Sequence, residues 1–222
     1  MPYQFDDLKR SNQHQWRAYI EHAFVQQLGN ASLAPEAFQH YLKQDYLFLI
    51  QFARAFALAA YKSPTLTDLR QAKEGLQAIV DVELGLHIDY CREWGITEDE
   101  LANLPEARAT MAYTRYVLDT GNRGDLLDLH VALSPCMVGY GEIANWLNSR
   151  PETIRGDQNS YDAWIAMYEG EEFQDAMQAE IRWLNERLVD VSPARFQQLS
   201  RIFNDATRLE IDFWDMGLNQ SD

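Results

Sequence analysis

Four polar side chains fall on helix faces that are otherwise apolar, and their types suit nucleophilic and acid–base chemistry. They are one thiol and three carboxylates: Cys136, Asp45, Glu83 and Glu210. Buried carboxylates are rare unless a partner or a ligand compensates them. A cysteine thiol is intrinsically nucleophilic, and burial raises the pKa of a carboxyl group so that it can act as an acid. The set predicts a pocket in which Cys136 attacks a substrate and Glu210 moves protons.

The segment around Cys136 contains residues that destabilise a helix, which indicates a role other than helix stability. Ser134 to Glu142 lies in a helix predicted from about Arg123 to Ser149, yet it contains Pro135, Gly139 and Gly141. These three residues cost about 5 kcal/mol relative to alanine. Pro135 should kink the helix and free the carbonyl oxygen of Val131. Tyr140, four residues after Cys136, shares its face, so the thiol and the phenol should meet the same flat ligand.

The elements that carry the carboxylates are long helices. A helix from Pro35 to Tyr61 places Asp45 on an apolar stripe, a helix from about Thr65 to Trp94 does so for Glu83, and a helix after Pro193 does so for Glu210. A further helix is predicted from Phe5 to Leu28. No alternating strand pattern, repeat or linker is present, so we predict an all-α, single-domain helical bundle of eight to ten helices over residues 1–222.

Composition limits the partners of the chain. Its 222 residues are 46% hydrophobic and carry a net charge of −15, which argues against nucleic acid and anionic membranes and favours a small molecule or a protein. No apolar run is long enough to span a membrane, and the first residues do not resemble a signal peptide. We therefore expect a cytoplasmic protein in which Cys91 and Cys136 are free thiols.

Other interpretations of these residues stay open at this point. Each carboxylate could lie at the edge of its face or pair with an arginine such as Arg54 or Arg208, and a lone cysteine on an apolar face is usually a small buried hydrophobe. No histidine is obviously placed as a base for Cys136. Glu83 and His87 have the spacing of metal ligands, which allows a di-iron oxidase or oxygenase as an alternative.

Three separated motifs resemble the TenA / thiaminase II family, in its cysteine-dependent branch. They are Tyr41 to Leu49, Pro135-Cys136 with Tyr140, and Glu210 to Trp214. Weaker matches are Glu83 with His87, Tyr113, and Tyr168 to Gly170. The similarity covers nearly the whole chain.

The resemblance implies a haem oxygenase-like fold, a homotetramer and no cofactor or metal. It also implies that aminomethyl-aminopyrimidine is hydrolysed to hydroxymethylpyrimidine, with thiaminase II activity on thiamin, in thiamin pyrimidine salvage. Cys136 would add to the pyrimidine ring, Glu210 would transfer protons, and Asp45 would bind the ring nitrogen and the exocyclic amine. The remaining substrate-binding residues would be Tyr140, Tyr113, Tyr168, Phe213, Phe48 and Glu83.

Phe48 departs from the family pattern, because some members have a tyrosine three residues after the aspartate. The missing hydroxyl could have hydrogen-bonded Glu210, so the orientation of that carboxylate is open. Besides the hydrolase and the di-iron enzyme, a third hypothesis is a non-catalytic pyrimidine-binding module.

Overall fold

The fold is all-α, as predicted, and the computed structural model describes residues 2–222 with no strand among them. A π-helical turn covers Ala78–Glu83 and a 3₁₀ turn covers Gly156–Gln158. The α-helices are α1 (Phe5–Ser11), α2 (Gln13–Ile20), α3 (Ala23–Gly29), α4 (Pro35–Lys62), α5 (Leu66–Gln77), α6 (Leu84–Glu93), α7 (Glu98–Ala102), α8 (Arg108–Arg123), α9 (Leu126–Asn148), α10 (Asp162–Glu169), α11 (Glu171–Leu188) and α12 (Pro193–Asn219).

The helix predicted from Phe5 to Leu28 is wrong as one element, because the structure divides it into α1, α2 and α3. Asn12 separates the first two helices, and its side-chain amide donates to the carbonyl oxygen of Leu8 and to Ser200. His22 separates the next two and caps α3 by accepting a hydrogen bond from the amide of Phe24. Polar side chains that cap a helix compete with its continuation, and the apolar pattern alone did not reveal these breaks.

The chain forms two compact units. Unit 1 contains residues 2–34 and His130–Trp214, and unit 2 contains Pro35–Leu129 and Asp215–Asp222. Cys136 and Glu210 belong to unit 1, whereas Asp45 and Glu83 belong to unit 2.

Helix α4 is the centre of unit 2, where it packs against α5, the π turn, α6, α7 and α8. Its predicted apolar stripe is confirmed, since every member is buried: Phe38, Leu42, Asp45, Leu49, Phe52 and Phe56. Thr97 and Glu100 form a capping box at the start of α7. Asp45 therefore lies on the core face of the helix that organises its unit.

Helix α9 is buried on nearly all sides rather than along one stripe. Every residue from Asp128 to Gly141 is buried except Cys136 and Met137, which are half-buried. A helix that is apolar all round belongs in the interior of a protein. In unit 1 it packs against α2 and α11 through its glycines, because a Cβ atom on Gly139 would collide with the ring of Tyr19 and one on Gly141 would come within 2.6 Å of Met177 Sδ.

Within residues 2–222, no helix combines the length and the apolarity that crossing a membrane requires.

Candidate active site

Cys136 is more accessible than the residues around it in α9. Its side chain is half-buried, whereas Leu129 to Pro135 before it and Val138 to Gly141 after Met137 are buried. The sequence placed this thiol in the core, and the structure places it at a partly open point of a core helix. A reactant can reach a half-buried sulfur more readily than a fully buried one.

Pro135 is accommodated without ending the helix. It leaves the carbonyl oxygen of Val131 without its usual main-chain donor, as predicted, and the Ser134 hydroxyl donates to that oxygen at 2.9 Å. The Tyr19 hydroxyl donates to the carbonyl oxygen of Pro135 at 3.3 Å. The residue before Cys136 is thus fixed through its carbonyl group, and Gly139 is needed because the Tyr19 ring fills the space beside it.

Tyr140 and Tyr168 come together in unit 1, as a shared role in binding a ring requires. Their ring centroids are 4.9 Å apart, and Trp164 and Trp214 lie 5.8 Å and 5.4 Å from Tyr140. Such tilted aromatic pairs have the geometry of favourable ring contacts. The two tryptophans were not predicted as site residues, although both lie in or beside the motifs that carried the resemblance.

Glu210 and Phe213 lie on α12 in unit 1, and both are about 1% exposed. The predicted stripe of α12 is confirmed, because Leu199, Phe203 and Ala206 are fully buried as well. A carboxylate at such depth needs a compensating partner.

Asp45 is the best-defined polar group of unit 2. Its Oδ2 atom accepts a hydrogen bond from the Tyr41 hydroxyl at 3.1 Å and lies 2.6 Å from His87 Nε2. The alternative in which Asp45 pairs with Arg54 is wrong, since Arg54 donates to Gln51. Burial lowers the pKa of His87, but the hydrogen bond and charge of Asp45, together with the charge of Glu83, outweigh it and raise that pKa above its usual value.

The π turn explains why His87 reaches Asp45. The amide of Leu84 bonds the carbonyl oxygen of Ile79, five residues back, so one extra residue is accommodated in the turn. The apolar stripe predicted through Glu83 would continue at α-helical spacing through Leu86 and Tyr90, yet Leu86 is exposed and His87 and Cys91 are buried instead. Glu83 is half-buried, and its carbonyl oxygen lies 2.8 Å from His87 Nδ1.

Phe48 and Tyr113 form a second aromatic pair in unit 2, with ring centroids 5.0 Å apart. Phe48 also stacks on Phe52 at 5.2 Å. Both members of the pair are buried. Phe48 therefore packs against aromatic side chains of unit 2.

The other buried histidine is engaged away from Cys136. His130 lies six residues before Cys136 on α9, but its Nδ1 lies 2.9 Å from Glu180 Oε1 and its ring stacks on Trp183 at 3.8 Å. His130 is therefore part of a buried pair with Glu180. The sequence did not reveal either histidine–carboxylate pair, because each joins residues that are distant in the chain.

The alternative hypothesis takes Glu83 and His87 as iron ligands, but in the structure His87 is hydrogen-bonded to Asp45. Both ring nitrogens of His87 are engaged, one by Asp45 and one by the carbonyl group of Glu83. No group of three or more His, Cys, Asp or Glu side chains with the geometry of a metal site occurs in the described part of the chain. The di-iron hypothesis therefore lacks a ligand set at this place.

Comparison with known proteins agrees with the motifs. The chain is 41% identical over 214 residues to an uncharacterized protein of Haemophilus influenzae, covering 96% of this chain and 98% of that protein. It is 38% identical to an aminopyrimidine aminohydrolase of Halalkalibacterium halodurans, covering 92% and 91% of the two chains. A TenA family transcription regulator from Silicibacter sp. TM1040 has a TM-score of 0.90 at 42% identity, covering 98% of both chains.

More distant comparison supports the fold type. A Shewanella denitrificans domain described as having a haem oxygenase-like fold matches with a TM-score of 0.73 at 11% identity, covering 98% of this chain and 93% of that one. The predicted haem oxygenase-like bundle is confirmed. The model of the TENA/THI-4/PQQC family matches residues 10–220. The chain belongs to the TENA/THI-4/PQQC family.

Proposed function

We propose that this protein is an aminopyrimidine aminohydrolase with thiaminase II activity. It hydrolyses aminomethyl-aminopyrimidine to hydroxymethylpyrimidine in the salvage of the thiamin pyrimidine. The observation that carries the proposal is the half-buried Cys136 in a buried stretch of α9, within a family whose relative from Halalkalibacterium halodurans is named for this activity.

In the proposed reaction, the sulfur of Cys136 forms a bond to a ring carbon of the pyrimidine. The ring electrons then expel ammonia from the exocyclic methylene group, water adds to that carbon, and the thiol leaves. Glu210 gives a proton to the departing nitrogen and takes one from the attacking water. Tyr140, Tyr168 and Phe213 contact the ring, which agrees with the tyrosine pair and with the burial of Phe213.

Other residues supply substrate recognition in this proposal. Asp45 binds the exocyclic amine of the pyrimidine, and Tyr113 and Phe48 contribute aromatic surface. Glu83 contributes through the histidine that its carbonyl group holds. The family match covers both units, which supports the further proposal that residues 1–222 form one TenA-like domain.

A substrate panel tests the activity. Purified protein, dialysed against a chelator, is incubated with aminomethyl-aminopyrimidine or thiamin, and ammonia, hydroxymethylpyrimidine and thiazole are measured. We expect ammonia and hydroxymethylpyrimidine in equal amounts from the first substrate. The Cys136→Ala variant should lose at least about a thousandfold in kcat, while it still binds hydroxymethylpyrimidine.

Other outcomes of the same panel identify the alternatives. Stoichiometric iron in the protein as purified, with activity lost in chelator, would favour the oxidase. Tight binding of the product with no turnover of any substrate would favour a pyrimidine-binding module.

We also propose that the protein is a homotetramer. Large apolar side chains are exposed on unit 2, and an interface between subunits that covered such side chains would be stabilised by their burial. They are Tyr61, Leu66, Leu69, Val80, Val82, Leu86 and Met111.

We propose in addition that the protein acts in the cytoplasm. Both cysteines are free thiols, and the proposed nucleophile must stay reduced to react. A reducing compartment preserves thiols in this state.

A further inference from the structure

The carboxylate of Asp45 is held by one of its two oxygens. Of the hydrogen bonds that Asp45 makes within residues 2–222, both end on Oδ2, one from the Tyr41 hydroxyl and one with His87 Nε2. The Asp45 side chain is 5% exposed and that of His87 is 2% exposed, so water competes little with either bond. Two donors use the lone pairs of Oδ2. Oδ1 is the oxygen that remains as an acceptor for a substrate.

His87 is held in turn from its other side. Nδ1 lies 2.8 Å from the carbonyl oxygen of Glu83, at the end of the π turn. A carbonyl oxygen can only accept, so Nδ1 carries a hydrogen. Both ring nitrogens are therefore fixed, and the imidazole cannot rotate without breaking two buried hydrogen bonds.

The electrostatics favour a charged pair. The raised pKa of His87 reflects the negative charges of Asp45 and Glu83, which outweigh the effect of burial. An imidazolium ring donates from both nitrogens, to Asp45 on one side and to Glu83 on the other. In such a pair Oδ2 of Asp45 accepts the hydrogen of Nε2, and a carboxylate oxygen accepts hydrogen bonds but donates none.

We propose that His87 is a positioning residue that fixes Asp45 by Oδ2, so that Oδ1 alone accepts a hydrogen bond from the exocyclic amine of the pyrimidine. The inference deepens the proposed function and depends on it for the substrate class. It replaces the two-point contact expected from the sequence, in which one carboxyl group hydrogen-bonds both the ring nitrogen and the amine. Selectivity for an amino-substituted ring then depends on His87, which itself does not touch the substrate.

The test measures binding rather than turnover. Dissociation constants are determined by calorimetry for hydroxymethylpyrimidine and for the analogue with hydrogen in place of the exocyclic amine. The ratio of the two constants reports the contact with the amine. General destabilisation of a variant weakens the binding of both ligands, so its effect cancels in the ratio.

Three substitutions at one position separate the two bonds of His87. In His87→Gln the amide nitrogen can occupy the place of Nε2 and still donate to Asp45. In His87→Asn the shorter amide can replace Nδ1 but cannot reach Asp45, and His87→Ala removes both bonds. The matched control is His130→Asn, because His130 belongs to a buried histidine–carboxylate pair that uses Glu180 rather than Asp45.

We expect wild type to bind the amino compound at least about tenfold more tightly than its analogue, as a hydrogen bond to a charged group allows. The preference should persist in His87→Gln and His130→Asn and should fall to near unity in His87→Asn and His87→Ala. Melting curves confirm that each variant is folded before it is titrated.

An equal loss of affinity for both ligands in His87→Ala and His87→Asn overturns the inference. A wild-type protein that does not prefer the amino compound overturns it as well. The second result leaves the proposed function intact if ammonia is still released from aminomethyl-aminopyrimidine. Conversely, a protein that shows the expected preferences but never releases ammonia or thiazole overturns the proposed function and not the role of His87.

Discussion

The two thiols of the chain lie in different environments, and this decides which of them can react. Cys136 is half-buried, whereas Cys91 is fully buried in unit 2 among Tyr46, Leu47 and Leu101. Burial raises the pKa of the Cys91 thiol to about 11, so it is almost entirely protonated near neutral pH. The thiolate is the reactive form of cysteine, and Cys91 is therefore a packing residue, as the sequence predicted.

Selective alkylation follows from this difference. At pH 7.5 the folded protein should take up one equivalent of iodoacetamide, on Cys136, and hydroxymethylpyrimidine should slow the reaction. In urea both thiols should react, because the folded environment of Cys91 is lost. Intact mass gives the number of alkylated thiols in the folded and in the unfolded protein, and peptide mapping identifies which cysteine carries the label. Labelling of Cys91 in the folded Cys136→Ala variant would contradict the prediction.

At the scale of single residues, the sequence revealed the charged groups but not their partners. Asp45 was recognised because a carboxylate interrupts an apolar stripe, which a helical pattern makes visible. His87 was considered only as a metal ligand with Glu83, since both lie on one helix. Its bond to Asp45 joins residues that are 42 positions apart, and a single sequence contains no signal for such a pair.

At the scale of elements, the π turn accounts for the main error in the helix that follows α4. Hydrophobic periodicity assumes 3.6 residues per turn, and a turn with bonds to the fifth residue back shifts every later position. The predicted face therefore led to the exposed Leu86 rather than to His87. Nothing in the composition of Ala78–Glu83 distinguishes it from an ordinary α-helical turn.

The bond that the π turn makes possible predicts a pH dependence of stability. The pKa of His87 is raised above 6.5 in the folded protein, so the folded state binds this proton more tightly than the unfolded chain. The resulting stabilisation is fully present below about pH 6.5. It is lost as the pH rises through the folded pKa.

Urea unfolding at intervals from pH 6 to pH 8.5 measures this dependence. The free energy of unfolding should decrease with increasing pH in the wild type and should decrease less in His87→Gln. Cys91 and Cys136 begin to ionise in the unfolded chain near the top of this window, but they do so in both proteins, so their contribution cancels in the comparison. Parallel curves for the two proteins would show that His87 does not contribute.

The glycines of α9 are explained by packing in unit 1, which leads to a second prediction at this scale. Gly139→Ala should destabilise the protein by about 1–3 kcal/mol, the usual cost of overpacking, because the added carbon meets the ring of the fully buried Tyr19. Gly85→Ala is the matched control. It lies in α6 with no atom within 4 Å of the added carbon.

Thermal unfolding distinguishes the two substitutions. The control should be neutral or more stable by up to about 1 kcal/mol, because alanine is the better helix former. At about 2–4 °C per kcal/mol for a chain of this size, the melting temperatures should differ measurably between the variants. A neutral Gly139→Ala would mean that Tyr19 moves freely, and its bond to Pro135 would then not fix the Cys136 turn.

At the scale of the whole molecule, the sequence predicted the fold class and the positions of the long helices. Pro35 and Pro193 mark the starts of α4 and α12 as expected, because proline fits the first turn of a helix. The twelve α-helical segments in residues 2–222 exceed the predicted eight to ten. The excess arises where a single apolar pattern conceals a break, as in α1 to α3 and at the π turn.

The exposed apolar side chains of unit 2 predict how the molecule associates. Leu66 and Leu69 lie on α5 and are 59% and 42% exposed, so an interface that covered them would gain from burying their side chains. If these residues belong to the proposed tetramer interface, Leu66→Glu with Leu69→Glu should dissociate the assembly, since a buried unpaired carboxylate costs several kcal/mol. Light scattering after gel filtration should give four times the 25.7 kDa of one chain for the wild type.

The matched control for this surface is Val189→Glu. Val189 is 47% exposed and follows α11, away from the exposed apolar side chains of unit 2 in the sequence. It should leave the mass of the assembly unchanged, because a single exposed valine needs no partner. A tetramer that persists in the double variant would exclude Leu66 and Leu69 from the interface, and a monomeric wild type would contradict the proposed assembly itself. Since the circular dichroism of every variant should stay helical, loss of mass would report dissociation and not unfolding.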